Sequence, residues 1–449
     1  MVGIAPAFLA IMFGAHIVMV NLGIGLAWLV PYLKWRADRG EKELEGPARE
    51  LMKFYAATYG VAGVFGTAYT VFLLSYYPKF LGLAGHITLI PFGIAILAII
   101  LHFFSIAAFW YGWDRWSRAA HHFIGLLLGI SALLIPLGFR AVFAFLNIPA
   151  GLGYDPVHNK FYLDVGAALT KNPTYWPLYL KSIAAAFAAT LSVVAGAYAY
   201  KAFFRAKSEE ERRAALRVAR MTATPAIIAL VITALFGVWY AVSLQNVPYK
   251  FNNVFASLGW KTADGKVYYN MSWLFVLKMV FASIQLIALA VAIPALAAGR
   301  MSPGKARFLL LGGILGLLTI LAGEYLNAFS QYPFFIAVWP DVLTGRVPVS
   351  ALPQFGIQVL KEALPRVVEA VNSVVLLDDG PTVKSILASM GIEKYFSLQE
   401  VTNSMAVDKG VVTMTVVFLS ALAIALVYLF YVLLAPEKPR QEQLAAAKS

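Results

Sequence analysis

Three ionisable residues lie inside long apolar runs and could carry chemistry there. His16 opens the run HIVMVNLGIGLAWLVP, His102 lies in the middle of GIAILAIILHFFSIAAFWYGWDR, and Glu324 lies within LLTILAGEYLNAF. A polar group at that depth of a membrane must face protein, a cofactor or a cavity, because leaving it in hydrocarbon is costly. A neutral imidazole is a good ligand for iron, and a histidine or glutamate can also relay protons. These residues are therefore the first candidates for a functional site.

A structural role competes with the functional one at each position. His16 could be a core histidine that is hydrogen-bonded to a neighbouring helix, or it could be an axial haem ligand whose flanking glycines let a flat macrocycle approach the backbone. Glu324, if it has no catalytic role, requires a partner such as an arginine. His102 and Glu324 could alternatively serve an unrelated transporter as a proton relay.

The elements that position these residues are transmembrane helices. The chain has 449 residues, of which 60% are hydrophobic and 13% are charged, whereas soluble domains carry about 25% charged residues. At about 20 apolar residues per helix, the sequence predicts about nine spans, near 7–33, 54–78, 87–112, 120–146, 176–203, 222–243, 272–298, 306–338 and 411–434. The absence of cysteine excludes disulfides, cysteine-ligated metals and c-type haem attachment. The first span lacks a basic n-region and a cleavage site, so it is predicted to be a retained helix.

The formal charge of +13 is distributed by membrane side. The loops after spans one, three, five and seven, together with the C-terminal tail, hold most of the 36 lysines and arginines. By the positive-inside rule, the N-terminus is predicted to lie outside and the C-terminus in the cytoplasm. The charge therefore reflects topology, and the sequence does not predict nucleic-acid binding.

Four short motifs occur in an order that carries a family resemblance. They are His16 nine residues before Gly25-Leu26-Ala27-Trp28-Leu29, Gly112-Trp113-Asp114-Arg115 at the end of span three, Asn172-Pro173 before span five, and Glu324-Tyr325 in span eight. With the helix count, they make the chain resemble subunit I of cytochrome bd oxidase over nearly its whole length. No one of these motifs is specific alone, but their shared order is.

The resemblance implies roles for the candidate residues. In this family the first-helix histidine ligates a haem of the oxygen-reducing pair, and a Glu-Tyr pair lies at the same di-haem site, so His16 and Glu324 are expected to ligate haem iron of b or d type. His102 occupies the position of a proton-leading glutamate and could relay protons or bind iron. Arg140, near the outer end of span four, could meet a haem propionate or could reach a lipid phosphate.

Other positions depart from the family. Lys181 and Lys278 stand where the family has the histidine and methionine of its low-spin haem, and a protonated ammonium has no lone pair for iron. The low-spin haem b is therefore expected to be absent, although Met279 lies beside Lys278. Both lysines are shallow enough to snorkel towards the interface, and an anion or lipid headgroup site is the alternative. The family's second proton-path glutamate is Ile94 here, and the connection around 245–270 is too short for the family's quinol-binding loop.

The sequence thus predicts an all-α, nine-helix membrane protein with the subunit I bundle. Residues 1–338 would form the membrane domain, 339–409 a helical insert on the outer face, and 410–449 the last span with a cytoplasmic tail. The expected function is that of a divergent paralogue in a bd-type respiratory terminal oxidase of the plasma membrane. It would bind haem, pass electrons to oxygen at the di-haem site, and pair with another oxidase subunit that receives electrons from quinol. The alternative is a haem-poor structural subunit that replaces subunit II.

Overall fold

The computed structural model describes residues 4–76, 88–148, 150–155, 160–262, 267, 269–331 and 417. The described residues up to 331 belong to one compact unit, and Val417 belongs to a second. Apart from Val417, the predicted insert at 339–409 and the predicted span at 411–434 lie outside the described residues.

Ten α-helices make up almost all of the described chain. They are α1 (Ile4–Asp38), α2 (Glu45–Tyr76), α3 (Leu89–Tyr111), α4 (Arg118–Asn147), α5 (Val165–Thr170), α6 (Tyr175–Phe204), α7 (Glu209–Ser243), α8 (Pro248–Phe255), α9 (Ser272–Ala297) and α10 (Pro303–Phe329). Single 3₁₀ turns lie at Lys42–Leu44, Leu244–Asn246 and Ala256–Leu258. Between α4 and α5, strands β1 (Leu152–Asp155) and β2 (Lys160–Leu163) pair antiparallel, with Leu152 opposite Leu163.

Seven helices in the described part of the chain are long and apolar enough to cross a membrane: α1, α3, α4, α6, α7, α9 and α10. The all-α, multi-pass membrane fold is therefore confirmed, and the predicted number of nine spans is approximate. The predicted span 54–78 falls on α2, which begins earlier, at Glu45, with a charged first third. That helix is 32 residues long but is not among the seven.

Glycines let the helices of the bundle approach closely. An added Cβ at Gly25 in α1 would lie 2.4 Å from the Thr190 side chain in α6, and one at Gly196 in α6 would lie 2.5 Å from the Leu310 Cα in α10. Close approach of this kind supplies the van der Waals packing that holds helices together in lipid, where the hydrophobic effect does not drive them together. Because α1 packs against α2, α4, α6 and α10, it is central to the bundle.

One end of the bundle, called the basic end below because its loops are rich in lysine and arginine, holds four of the connections between helices. These are α1–α2, α3–α4, α6–α7 and α9–α10. The Trp113 indole donates to the Glu45 carboxylate (2.6 Å), and Arg49 donates to Asp114 (2.5 Å). The hydrogen bond from Arg49 holds the pKa of Asp114 below its usual value. The Gly-Trp-Asp-Arg motif therefore has a structural role, since it ties the end of α3 to the start of α2.

The Asn-Pro motif ties α4 to α6 at the opposite end. The Asn172 amide donates to the carbonyls of Ala144 (2.8 Å) and Ile148 (2.9 Å), which end α4. Its carbonyl accepts from the backbone N–H (3.0 Å) and hydroxyl (2.8 Å) of Thr174, just before α6. Each of these carbonyls also accepts a backbone N–H, from Ile148 and Ala150 respectively. Asn172 therefore adds a second hydrogen bond to each carbonyl while it fixes the entry to α6.

Candidate functional site

His16 lies on α1 and faces α2. Its Nδ1 is 2.8 Å from the carbonyl of Ala62, so Nδ1 carries the proton and Nε2 carries the lone pair. Among the described residues, Nε2 has no hydrogen-bond partner. Gly66, one turn further along α2, makes room for the ring, because a Cβ there would lie 2.7 Å from the His16 Cε1. A backbone carbonyl that fixes Nδ1–H and leaves Nε2 free is the usual arrangement of a metal-ligating histidine.

His102 lies on α3 and uses both ring nitrogens. The Tyr55 hydroxyl lies 2.5 Å from Nε2, and the Ser131 Oγ lies 2.7 Å from Nδ1. Since the Ser131 hydroxyl donates to the Leu128 carbonyl at 3.0 Å, Ser131 accepts from Nδ1–H and Tyr55 donates to Nε2. The side chain is 2% exposed. As arranged, His102 is a satisfied core histidine with no free lone pair.

Glu324 on α10 forms a bidentate ion pair with Arg140 on α4. The two guanidinium nitrogens donate to the two carboxylate oxygens at 3.0 and 2.5 Å. The Arg140 side chain is 5% exposed and that of Glu324 is 12% exposed. Arg140 therefore faces the bundle interior and does not reach lipid phosphate. Its partner is the carboxylate that the sequence placed at the di-haem site.

The candidates lie at two levels of the bundle. His102 contacts α2 at Tyr55, and His16 contacts it at Ala62, which is about 10 Å further along the helix at 1.5 Å per residue. Arg140 lies nine residues beyond Ser131 on α4, or about 13 Å beyond the His102 level. Tyr325, beside Glu324, donates to the Ala10 carbonyl (2.7 Å), six residues before His16. By these counts His16 and the Arg140–Glu324 pair lie at similar depth, within about 3 Å along the bundle axis, and Tyr325 also lies against Gly14, two residues before His16. His102 lies nearer the basic end.

Lys181 and Lys278 contact other helices of the bundle with partly exposed side chains, and snorkelling towards the interface stays a prediction. The Lys181 ammonium lies 4.3 Å from the centre of the Tyr240 ring. The Lys278 side chain packs over Gly323 in α10. An added Cβ at Gly323 would lie 3.4 Å from the Lys278 Cε. Both are within electrostatic range of the Glu324 carboxylate.

A buried polar network lies next to these lysines, and the sequence did not predict it. Lys250 on α8 donates to the Asn147 Oδ1 (2.7 Å) and the Asn327 Oδ1 (2.9 Å), and the Tyr240 hydroxyl also donates to the Asn327 Oδ1 (2.6 Å). Burial, and secondarily the positive charge of Lys181, hold the pKa of Lys250 well below its usual value. The only sequence signal was a lysine between apolar and amide residues in a short connection, and that pattern does not predict burial.

These features define an integral membrane bundle with polar groups buried at several depths. A sequence model of the family described as cytochrome bd terminal oxidase subunit I matches residues 4–258, more than half of the chain. The chain belongs to this family.

A solved structure has the same fold. The bd oxidase from Geobacillus thermodenitrificans matches with a TM-score of 0.65 at 17% sequence identity, over 83% of this chain and 97% of that one. Comparison with curated proteins gave no match. The solved structure supports the fold of the bundle, and the family supports membership in a bd-type oxidase.

Members of this family generally bind haem, and the residues of this chain fit that group unequally. His16 fits, because it offers a free Nε2 beside a glycine. His102 offers no free nitrogen, and Glu324 offers a carboxylate only if its pair with Arg140 opens. Within the described residues, no three histidine, aspartate or glutamate side chains are grouped as a metal site.

Proposed function

We propose that this chain is a subunit of a bd-type terminal oxidase and that it holds a haem through His16. The observation that carries the proposal is the state of the His16 ring, in which Nδ1 is fixed by the Ala62 carbonyl and Nε2 is free. A bound haem would supply iron for one-electron chemistry and oxygen binding. The whole complex would transfer electrons to oxygen, and this chain would contribute His16 to it.

The protein groups around His16 would position the cofactor. The carbonyl of Ala62 fixes the tautomer of the ring, and Gly66 lets the ring lie against α2. Glu324 and Arg140 lie at a depth similar to that of His16 and would act as a neutral pair near the cofactor. Glu324 would become a second iron ligand only in a state with the pair open. His102 would hold α2, α3 and α4 together next to the site, and a proton-relaying role would require the Tyr55 and Ser131 hydrogen bonds to rearrange.

A partner subunit completes the proposal. The connection between α7 and α9 consists of the short helix α8 and a few turns, which leaves little chain for a quinol-binding loop. Quinol would therefore deliver electrons through another oxidase subunit. We place the complex in the plasma membrane with the basic end in the cytoplasm, because basic loops stay on that side.

A haem assay on the purified chain tests the His16 assignment. Wild type, His16→Ala and the control His122→Ala would be compared by pyridine haemochrome and by reduced-minus-oxidised spectra. His122 lies at the basic end, 3.4 Å from Asp38. We expect haem in wild type and in the control, and its loss in His16→Ala, because no other described histidine has a free nitrogen facing that level.

Two results would contradict the proposal in different ways. Haem that survives His16→Ala would mean that another residue ligates the iron. If wild type purified together with its partner subunit contains no haem, the chain would instead have the structural role. In that role it replaces subunit II and holds the oxidase together.

A further inference from the structure

Four cationic side chains converge in the half of the bundle opposite the basic end, with one carboxylate between them. Arg140, Lys181, Lys250 and Lys278 lie around Glu324, and each lysine is within electrostatic range of this carboxylate. The bidentate pair with Arg140 uses both oxygens of Glu324. The carboxylate therefore compensates the arginine and leaves the lysines to other partners.

Lys250 has its partners within the protein. Its Nζ donates to two amide oxygens, those of Asn147 and Asn327, and the side chain is 2% exposed. Both amide oxygens accept from this Nζ. Lys250 therefore needs no ligand to supply it with hydrogen-bond acceptors.

Lys181 and Lys278 are different. Among the described residues neither ammonium has a hydrogen-bond acceptor; Lys181 contacts only the face of the Tyr240 ring, and Lys278 crosses Gly323. The two charges are within electrostatic range of each other. A partly buried ammonium without acceptors is costly, and two adjacent ones cost more.

The two lysines are also accessible. Both side chains are partly exposed, whereas Arg140 and Lys250 beside them are buried. An anion that reached them would find up to six N–H donors and two positive charges. A phosphate group carries up to two negative charges and can accept several hydrogen bonds, and lysine binds it as a point charge.

We propose that Lys181 and Lys278 form a binding site for a phosphate group, with the Arg140–Glu324 pair as its neutral floor. The group could belong to free phosphate or to the headgroup of an anionic phospholipid, since both present the same oxygens. The two lysines are not the iron ligand proposed at His16, and their site does not depend on haem being bound there.

The test measures ligand-dependent stabilisation of the full chain in detergent. Thermal unfolding would be followed with rising inorganic phosphate, against chloride at the same ionic strength, for wild type and for Lys181→Met with Lys278→Met. Lys261→Met is the matched control, because Lys261 is an exposed lysine outside the cluster. We expect phosphate to raise the Tm of wild type and of the control. The double variant should lose at least about tenfold in apparent affinity, because it lacks the hydrogen bonds from two charged donors.

A second arm identifies the source of the phosphate. Delipidated protein would be mixed with vesicles of phosphatidylcholine alone or with one-fifth phosphatidylglycerol, and retained lipid would be measured by native mass spectrometry. Retention of phosphatidylglycerol by wild type and the control, but not by the double variant, would identify a headgroup site. Stabilisation by inorganic phosphate without lipid retention would identify a site for the free ion.

Two outcomes would overturn the proposal. One is a wild type that responds to neither phosphate nor phosphatidylglycerol. The other is a double variant that loses haem while it keeps its phosphate response, since the lysines would then serve a haem carboxylate. If the double variant does not fold, Lys278→Gln alone is expected to weaken the phosphate response about tenfold. The same unfolding and lipid-retention measurements then apply, and they are interpreted in the same way.

Discussion

At the scale of single residues, two histidines with the same apolar surroundings in the sequence have different chemical capacity in the fold. His16 keeps a free nitrogen, whereas both nitrogens of His102 are hydrogen-bonded. The partners of His102 are Tyr55 and Ser131, which lie 47 and 29 positions away in the chain. The sequence could show that both histidines are buried, because their apolar runs are long. It could not show which nitrogen is free, because tertiary contacts decide that.

The Arg140–Glu324 pair gives a test at this scale. Glu324→Met alone is expected to lower the free energy of unfolding by about 3–5 kcal/mol, because it leaves a buried arginine without its partner. Arg140→Met with Glu324→Met should restore most of this loss, since two apolar side chains of similar size need no partner. Thermal or chemical unfolding in detergent measures both effects.

The haem content of the same variants separates two roles for Glu324. If the carboxylate serves only Arg140, haem content follows the stability of each variant. Haem that is lost in Glu324→Met and still absent in the stable double variant would instead show that Glu324 ligates the iron.

At the scale of elements, apolar runs predicted the spanning helices well, because a helix must satisfy its backbone within the segment when lipid surrounds it. The helix α2 was predicted to start at residue 54 and starts at Glu45, since its first turns are charged and lie at the basic end. The helix α8 was not predicted as a helix. Its buried Lys250 donates to Asn147 and Asn327 from other helices, and no local pattern reveals such partners.

Two glycines on α2 provide a matched pair of substitutions. Gly66→Ala would place a Cβ 2.7 Å from the His16 Cε1, whereas a Cβ at Gly63 meets nothing within 4 Å. We therefore expect Gly66→Ala to displace the His16 ring and to shift or abolish the haem spectrum. Gly63→Ala should leave the spectrum unchanged, and both changes should favour the helix by a similar amount, up to about 1 kcal/mol. Identical spectra for the two variants would argue against His16 as the ligand.

At the scale of the whole molecule, family and fold were predictable because several weak motifs occurred in the right order. Two of these motifs turned out to have packing roles, since Trp113 and Asn172 tie helix ends together. A motif can therefore identify a family through the fold that it maintains. The grouping of the lysines around Glu324 could not be predicted, because it depends on how α6, α8, α9 and α10 meet.

Lys250 is expected to make global stability depend on pH. Its pKa is well below the usual lysine value in the folded chain, so between the folded and unfolded pKa values the unfolded chain binds one more proton. Stability should therefore rise with pH across this window, by about 1.4 kcal/mol per pH unit for one proton. Lys250→Met should flatten this part of the profile relative to wild type and to the exposed-lysine variant Lys261→Met. An unchanged slope in Lys250→Met would mean that another group titrates.

The ion pair between α4 and α10 also constrains how the chain is made. Arg140 is synthesised 184 residues before Glu324, which corresponds to about 10 to 40 s at 5–20 residues per second. During this interval the guanidinium does not have Glu324 as its partner, and an unpaired arginine within a membrane-spanning segment is costly. The early helices must therefore stay loosely assembled, with Arg140 held near water or headgroups, until the insertion of α10 locks the bundle.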